Sequence, residues 1–248
     1  MTPDPWTRLR EHTAARIALG RAGASVPTDE VLHFALDHAL ARDAVHAELD
    51  VDQLEKALAE VAGDVPIVRV ATRATDRTTY LQRPDLGRQL DDASRDALAQ
   101  IKRPADVCIV VADGLSATAT QRHAVALFGL LVPKLRESRL SIAPLAIARF
   151  AWVALQDDVG HALGAKCSVI LIGERPGLGT PDSLGAYFVF NPKPGNTDAD
   201  RNCVSNIRPA GLPREAAAQT LHFLITQSLR LQLSGVRLKD DRTPALPK

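Results

Sequence analysis

The chain has 248 residues, of which 46% are hydrophobic and 24% are charged, so it suits one large folded domain or one domain with a smaller appendage. A net charge of +1 and an aromatic share of 4% give no support for nucleic acid or an anionic surface as a partner. The three cysteines form no CxxC pair, and the chain has neither a secretory signal nor an apolar run near the roughly 18 residues that span a bilayer, so we expect a cytosolic protein without a membrane partner.

Three helices are predicted in the first 63 residues. The first covers 6–22. The second begins at Thr28, which we expect to be its N-cap because a threonine hydroxyl can accept a hydrogen bond from the first helical turn. Its apolar stripe consists of Val31, Leu32, Ala35, Leu36, Ala39 and Leu40. The third helix begins near Asp50, and Gly63 closes it.

The rest of the chain alternates between strand and helix patterns. Predicted strands cover 66–71, 107–111, 141–147 and 168–172. Predicted helices cover 88–101, 116–137, 152–164 and 213–235. The strand at 107–111 is apolar throughout, which indicates burial on both faces as in parallel sheets. We therefore predict an α/β fold with a Rossmann-like, mostly parallel sheet, flanking helices and right-handed crossovers. The predicted division is a helical region at 1–63 and an α/β domain at 64–248, with a frayed tail from 239.

One stretch, 168–208, carries the most unusual pattern. A predicted strand runs into the segment GERPG, which contains Glu174, and a second apolar run follows at 186–190. A polar segment at 191–208 then carries Cys203, and we expect this segment to be a long loop. Since ligands of open α/β sheets bind beyond the carboxyl ends of the strands, Glu174 is a candidate ligand contact.

A catalytic alternative rests on the segment DGLSAT at 113–118, which resembles a nucleophile elbow with its last glycine replaced. Ser116 would be the nucleophile of a serine hydrolase, with His222 as its base. Asp157, Asp158 or Asp182 could supply the acid. The structural alternative is that Ser116 caps the helix that follows it.

Two other classes of site have little support. None of the seven histidines forms an HxxxH or HExxH pattern, so a zinc site built by the protein is not expected. The segment GERPG lacks the lysine of a P-loop, and no GxGxxG segment occurs. A nucleotide-binding or interaction module without catalytic activity remains a third hypothesis.

Longer strings carry a family resemblance. The segments IGERPGLGTPDSLGAYFVF and TDADRNCVSNIRP are similar to the small subunit of ethanolamine ammonia-lyase. The segments RIALGRAGASVPTDEVLHFALDHALARDAVH and VVADGLSATATQRHA resemble the N-terminal helical part and the central strand–turn–helix of that family. Together the similar segments cover most of residues 14–212, in the order of the family.

The resemblance implies an adenosylcobalamin-dependent lyase that converts ethanolamine to acetaldehyde and ammonia by a radical mechanism. It implies a hetero-oligomer in which a large subunit with a TIM barrel carries the substrate site. The small subunit then supplies part of the cobalamin site at the subunit interface and has no catalytic residue of its own. Enclosure in a bacterial microcompartment is left open.

The resemblance also implies three cobalamin contacts. These are Glu174 in GERPG, Cys203 in DRNC, and Val153, which precedes ALQDD. The segment from Asp157 to His161 lacks the spacing of the DxHxxG motif, and the resemblance implies that the cofactor keeps its own benzimidazole ligand. We therefore expect His161 on a helix surface.

Overall fold

We describe the chain from a computed structural model that covers Asp4 and residues 6–13 and 15–242. Within these residues the strands are β1 (Ile67–Val70), β2 (Ala105–Ala112), β3 (Leu145–Ala148), β4 (Ala165–Gly173), β5 (Leu184–Phe190) and β6 (Arg201–Ile207). The helices are α1 (Thr28–His46), α2 (Val51–Ala62), α3 (Arg77–Gln82), α4 (Asp92–Gln100), α5 (Ala117–Glu137), α6 (Leu155–Leu163) and α7 (Arg214–Leu231). The strands form one sheet in the order β1-β3-β2-β4-β5-β6.

The first four strands run parallel, which confirms the predicted α/β class. β3 lies between β1 and β2, and β2 also pairs with β4, so that Val110 has Ala146 on one side and Ile170 on the other. Residues 107–112 of β2 are all fully buried. A central parallel strand with helices on both faces explains the continuous apolar run seen in the sequence.

The alternation of side chains along β2 divides the core into two layers. Val107, Ile109 and Val111 pack into the larger cluster, with buried residues of α2, α5 and α7. The intervening side chains, which include Cys108 and Val110, pack into a second cluster with residues of α4 and α6. The helices therefore cover both faces of the sheet, as the strand pattern requires.

The predicted loop at 191–208 is wrong in its second half. Residues 201–207 form β6, which pairs antiparallel with β5 and places Cys203 opposite Tyr187. Only Arg201, Val204 and Ile207 of this strand are buried, so its sequence lacks the regular alternation that predicts a half-buried strand. β6 lies at the edge of the sheet, where a short, polar strand is tolerated.

The predicted helix at 6–22 is also wrong. Residues 7–11 form a 3-10 turn without a buried side chain, and Trp6 is 65% exposed. Positive φ angles at Ala18, Gly20 and Gly23 are incompatible with a continuing helix. Ala14, which falls within this predicted helix, and the tail at 243–248 lie outside the described residues.

The second predicted helix is present as α1, but its N-cap is wrong. Thr28 is the first helical residue, and Pro27 occupies the cap position without a side-chain hydrogen bond. Proline fixes φ near the helical value, so it can introduce the helix without a hydroxyl cap. Ala44 is the one buried residue of α1, and the apolar stripe is largely exposed. Its exposed large side chains are Val31, Leu32, Phe34, Leu36 and Leu40.

The remaining predicted helices are present with shifted ends. The helix predicted to begin near Asp50 is present as α2, and Asp50 caps it by accepting a hydrogen bond from the Gln53 amide. The helix predicted at 88–101 begins only at Asp92, because Asp91 caps it. The preceding residues contain the unpredicted α3 and a 3-10 turn at Leu86–Arg88. Although α2 packs into the main core, the domain boundary after residue 63 stays a prediction.

Candidate binding cavity

A cavity of about 1030 Å³ lies between the start of α6, the face of β5 and β6, and the loop around 194–198. Val153 and Cys203, which were named from the family resemblance, both line this cavity. A smaller pocket of about 390 Å³ adjoins it and is lined by Glu174, together with Val153 and Tyr187. The structure therefore brings the three predicted contacts to one continuous surface, with Tyr187 and Val153 shared by both hollows.

Val153 is held by the packing of its neighbour, Trp152. The Trp152 amide donates to the Gly87 carbonyl at 2.8 Å, and its indole N–H donates to the Tyr80 carbonyl at 3.3 Å. The Trp152 and Tyr80 rings stack at 5.1 Å between centroids. Val153 lies in the turn that enters α6, and its carbonyl accepts from the Gln156 amide. A half-buried apolar side chain is thus presented on a rigid turn.

Cys203 and Tyr187 face each other across the β5–β6 pair. Both side chains line the cavity. Although Cys203 is exposed, partial desolvation raises the pKa of its thiol, and this outweighs the opposite effect of Tyr187. The thiol is therefore neutral near pH 7, and it offers the cavity a weak hydrogen-bonding group without charge.

Glu174 leaves β4 directly after Gly173, as the sequence predicts. Its amide donates to the Ser183 carbonyl at 2.9 Å. Its Oε2 atom accepts hydrogen bonds from the Ser183 hydroxyl and, at 3.1 Å, from the Asn206 amide. Oε1 accepts no hydrogen bond from the described residues. A Cβ at Gly185 would lie only 2.9 Å from Oε1, so the glycine makes room for this carboxylate.

The cavity wall contains a buried ion pair that was not predicted from the sequence. The Arg201 guanidinium pairs with Asp157 of α6, and both side chains are 4% exposed. Arg201 also donates to Asp198 at 2.8 Å and to the Asn196 carbonyl at 3.1 Å. Burial raises the pKa of Asp157 to about 6, although Arg201 acts in the opposite direction. Arg201 lies two residues before Cys203, a spacing that places both on one face of β6 once the strand is known.

The serine hydrolase hypothesis is wrong. Ser116 is fully buried, its hydroxyl donates to the Pro181 carbonyl at 2.8 Å, and it accepts from the Ala119 amide as the cap of α5. His222 instead contacts the Ser138 hydroxyl at 2.7 Å, at the far end of α5. A nucleophile and its base must lie within hydrogen-bonding reach of each other, so these residues cannot form a triad.

The exits of β2 and β3 are joined by Asp113, which is 2% exposed. Its carboxylate accepts from the amides of Phe150 and Ala151 at 2.9 and 3.3 Å. Burial raises the pKa of Asp113 despite these bonds. The segment that leads to Val153 is thereby fixed to the central strand. His161 is exposed on α6, as expected.

The fold and the cavity define an α/β protein with a large hollow beside its sheet, lined by apolar, polar and charged side chains. The sequence matches the family model described as "Ethanolamine ammonia-lyase light chain (EutC)" over residues 3–239. The chain therefore belongs to the ethanolamine ammonia-lyase light chain family. Within the described residues, none of the helices combines the length and apolarity needed to cross a bilayer.

Relatives named ethanolamine ammonia-lyase small subunit are similar over nearly the whole chain. The protein of Bradyrhizobium diazoefficiens is 50% identical over 98% of this chain and 94% of its own length. That of Rhodopseudomonas palustris is 51% identical, over 94% of this chain and 89% of its own length. That of Azotobacter vinelandii is 50% identical, over 97% and 90%. The similarity thus includes both the helical N-terminal part and the sheet.

Proposed function

We propose that this chain is the cobalamin-binding small subunit of an adenosylcobalamin-dependent ethanolamine ammonia-lyase. The observation that carries the proposal is the common surface of Val153, Cys203 and Glu174 around the large cavity. A large subunit with a TIM barrel would carry the substrate site and cover the open side of this surface. The composition favours a reducing, cytosolic compartment for the assembly.

The size and polarity of the cavity fit such a cofactor. Pockets for drug-sized ligands measure roughly 300–1,000 Å³, so a cavity of about 1030 Å³ suits a larger molecule. The edge of a corrin ring carries neutral amides, which hydrogen-bond best with neutral donors and with acceptors that have a free lone pair. The neutral Cys203 thiol and the free Oε1 of Glu174 are groups of this kind.

The residues of this chain would bind and orient the cofactor rather than react. When bound, adenosylcobalamin supplies a carbon–cobalt bond whose homolysis generates the radical that removes a substrate hydrogen, before ammonia is lost and acetaldehyde is left. Val153 offers an apolar contact, Glu174 accepts an N–H group, and the neutral thiol of Cys203 avoids placing a charge against an amide. The buried pair of Asp157 and Arg201 fixes the wall that carries Cys203.

Assembly with the large subunit tests the proposal. The two chains are co-expressed, adenosylcobalamin is added in the dark, and the visible absorption of the complex is recorded after gel filtration. We expect the corrin absorption to elute with the two subunits. Elution of an intact complex without corrin absorption would contradict a role in cobalamin binding.

A substitution of Glu174 tests whether this chain itself contacts the cofactor. Glu174→Ala removes the free Oε1 acceptor, so the assembled enzyme should bind cobalamin roughly tenfold more weakly, as expected when a charged acceptor is lost. Glu137→Ala is the matched control, because Glu137 lies at the end of α5 and does not line the cavity. Unchanged cobalamin affinity of Glu174→Ala would show that Glu174 is not a contact.

A further inference from the structure

The turn at Leu86–Arg88 is locked against the segment that carries Val153. The Gly87 carbonyl accepts a hydrogen bond from the Trp152 amide at 2.8 Å. A Cβ at Gly87 would lie 2.6 Å from Trp152 Cδ1 and 2.7 Å from the Phe150 carbonyl oxygen, distances that no side chain tolerates. The close approach therefore requires glycine, and it fixes the backbone of Arg88 relative to the entrance of α6.

The residues after this turn are tied to α6 as well. The Leu90 amide donates to Asp158 Oδ2 at 3.1 Å. Arg95 donates both to the Leu90 carbonyl at 3.2 Å and to the same Asp158 oxygen at 3.1 Å. The segment from Leu86 to Leu90 is thus held at both ends, and its residues Arg88 and Gln89 form a fixed part of the cavity lining.

The charged side chains that line the cavity are paired, with one exception. They are Arg88, Arg95, Arg201, Asp157, Asp158 and Asp198. Arg95 pairs with Asp158, and Arg201 pairs with both Asp157 and Asp198. Arg88 is exposed and forms neither an ion pair nor a side-chain hydrogen bond with any residue in the described part of the chain. Among the described residues that line this cavity, Arg88 is therefore the one guanidinium whose donors are free for a ligand. The exposed Arg175 of the adjoining pocket is likewise unpaired within the described residues.

Cobalamin has one group that suits such a donor. Its corrin amides are neutral, whereas the nucleotide loop that carries its benzimidazole contains an anionic phosphodiester. We propose that Arg88 binds this phosphodiester, a proposal that rests on the cobalamin-binding function proposed above. A guanidinium matches two oxygens of a phosphate with parallel N–H donors, and a fixed backbone reduces the conformational entropy that is lost on binding.

Binding of two corrinoids, one with and one without the nucleotide loop, distinguishes a phosphodiester contact by Arg88 from a general loss of structure. The assembled enzyme with Arg88→Gln is compared with the wild type by equilibrium dialysis against adenosylcobalamin and against adenosylcobinamide, which lacks the nucleotide loop. We expect about a tenfold loss of affinity for adenosylcobalamin, since a charge-assisted hydrogen bond to the phosphodiester is lost. The affinity for adenosylcobinamide should stay within about twofold, and Arg88→Lys should restore part of the loss.

Arg83→Gln is the matched control, because Arg83 is an exposed arginine that pairs with Asp85 and does not line the cavity. Equal losses for both corrinoids, or none for adenosylcobalamin, would overturn the assignment. The salt dependence gives a second measurement: added NaCl should weaken adenosylcobalamin binding by the wild type more than by Arg88→Gln, and equal slopes would contradict the proposal. If the wild-type complex binds neither corrinoid, the proposed function itself fails.

Discussion

At the scale of single residues, Tyr187 and Cys203 lie opposite each other on β5 and β6 and both line the cavity. Both groups are neutral near pH 7, because desolvation raises the pKa of the thiol and of the phenol. A neutral group can contact amides without the penalty of desolvating a charge. A thiol with a raised pKa is a poor nucleophile, so Cys203 suits a non-covalent contact better than covalent chemistry.

The size of the side chain at position 203 should therefore control access. Cys203→Phe places a ring in the cavity, and we expect the assembled enzyme to bind cobalamin about tenfold or more weakly, as for overpacking that costs about 1–3 kcal/mol. Cys203→Ser conserves the volume and should bind within about threefold of the wild type. Equilibrium dialysis measures both variants. Wild-type affinity in Cys203→Phe would place the cofactor elsewhere.

At the scale of elements, the segment that follows β2 packs closely against Gly173, the last residue of β4. The Gly173 carbonyl accepts from the Leu115 amide at 3.0 Å. A Cβ at Gly173 would lie 2.0 Å from the Ser116 carbonyl oxygen and 2.6 Å from that of Asp113. These contacts involve backbone atoms, which cannot rotate away. The start of α5 and the exit of β4 therefore hold Glu174 in place together.

Gly173→Ala should be strongly destabilising. We expect the free energy of unfolding to fall by about 3 kcal/mol, the upper range for overpacking. Gly179→Ala is the matched control, because a Cβ there meets nothing within 4 Å and only its φ of +79° is unfavourable, which costs about 1 kcal/mol. Urea denaturation measures both. Equal losses would show that the clash at Gly173 is relieved by a backbone shift.

The loop that follows Glu174 is held by α5. Ser116 binds Pro181, Arg122 pairs with Asp182 at 3.0 Å, and His123 Nε2 lies 3.7 Å from the same aspartate. Neither ring nitrogen of His123 has a hydrogen-bond partner among the residues that the structure describes, and the residue is 5% exposed. Burial lowers the pKa of His123, which outweighs the attraction of Asp182.

This lowered pKa predicts a loss of stability in acid. The unfolded chain takes up the histidine proton near its ordinary pKa of 6.5, before the folded chain does. The stability that neutral His123 contributes is therefore present above pH 6.5 and is lost as the pH falls through the folded pKa. Asp157, whose pKa is raised, acts in the opposite direction, so the comparison must isolate His123.

The difference between the wild type and His123→Gln provides this comparison. Urea denaturation at several pH values between 7.5 and 5 should show the wild type losing stability relative to the variant as the pH falls. The pH dependence that Asp157 gives to the free energy of unfolding is the same in both proteins, so it cancels when the two free energies are subtracted. A constant difference over this range would show that His123 has the same pKa in both states.

The sequence predicts elements best where one physical requirement dominates. The apolar run of β2 and the start of α2 near Asp50 needed no tertiary information, whereas the choice between a cap and a nucleophile at Ser116 did. β6 could not be predicted, because its residues do not alternate regularly between apolar and polar. It is a strand because it pairs with β5. The pair of Asp157 and Arg201 joins residues 44 positions apart, and nothing in either segment indicates burial. Val153 and Cys203 were found by family resemblance alone.

At the scale of the whole molecule, the apolar residues are divided unequally between buried and exposed helices. Leu54 and Leu58 of α2 are fully buried against the core, whereas α1 keeps its large apolar side chains in solvent. Burial and not composition determines how much a side chain stabilises the fold. The two N-terminal helices should therefore differ sharply in their contribution to the free energy of unfolding.

Parallel substitutions measure this difference. Leu32→Gln, Leu36→Gln and Leu40→Gln, which are 64%, 57% and 46% exposed, should each change the free energy of unfolding of this chain by no more than about 0.5 kcal/mol. Leu58→Ala should cost about 2–5 kcal/mol, because it leaves a cavity in the core. Losses near 2 kcal/mol in the α1 variants would show that α1 packs against another surface in solution.

The order of the strands also bears on how the chain folds during synthesis. β1 and β2 emerge first, but β3 separates them in the sheet, and β2 also awaits β4 on its other side. Among the described strands, no native pair can form until residues 145–148 have left the ribosome. The apolar run at 107–112 must therefore remain unpaired through much of translation. Such a segment is a natural target for chaperones, and delayed, non-local pairing predicts slow folding with aggregation as its main competitor.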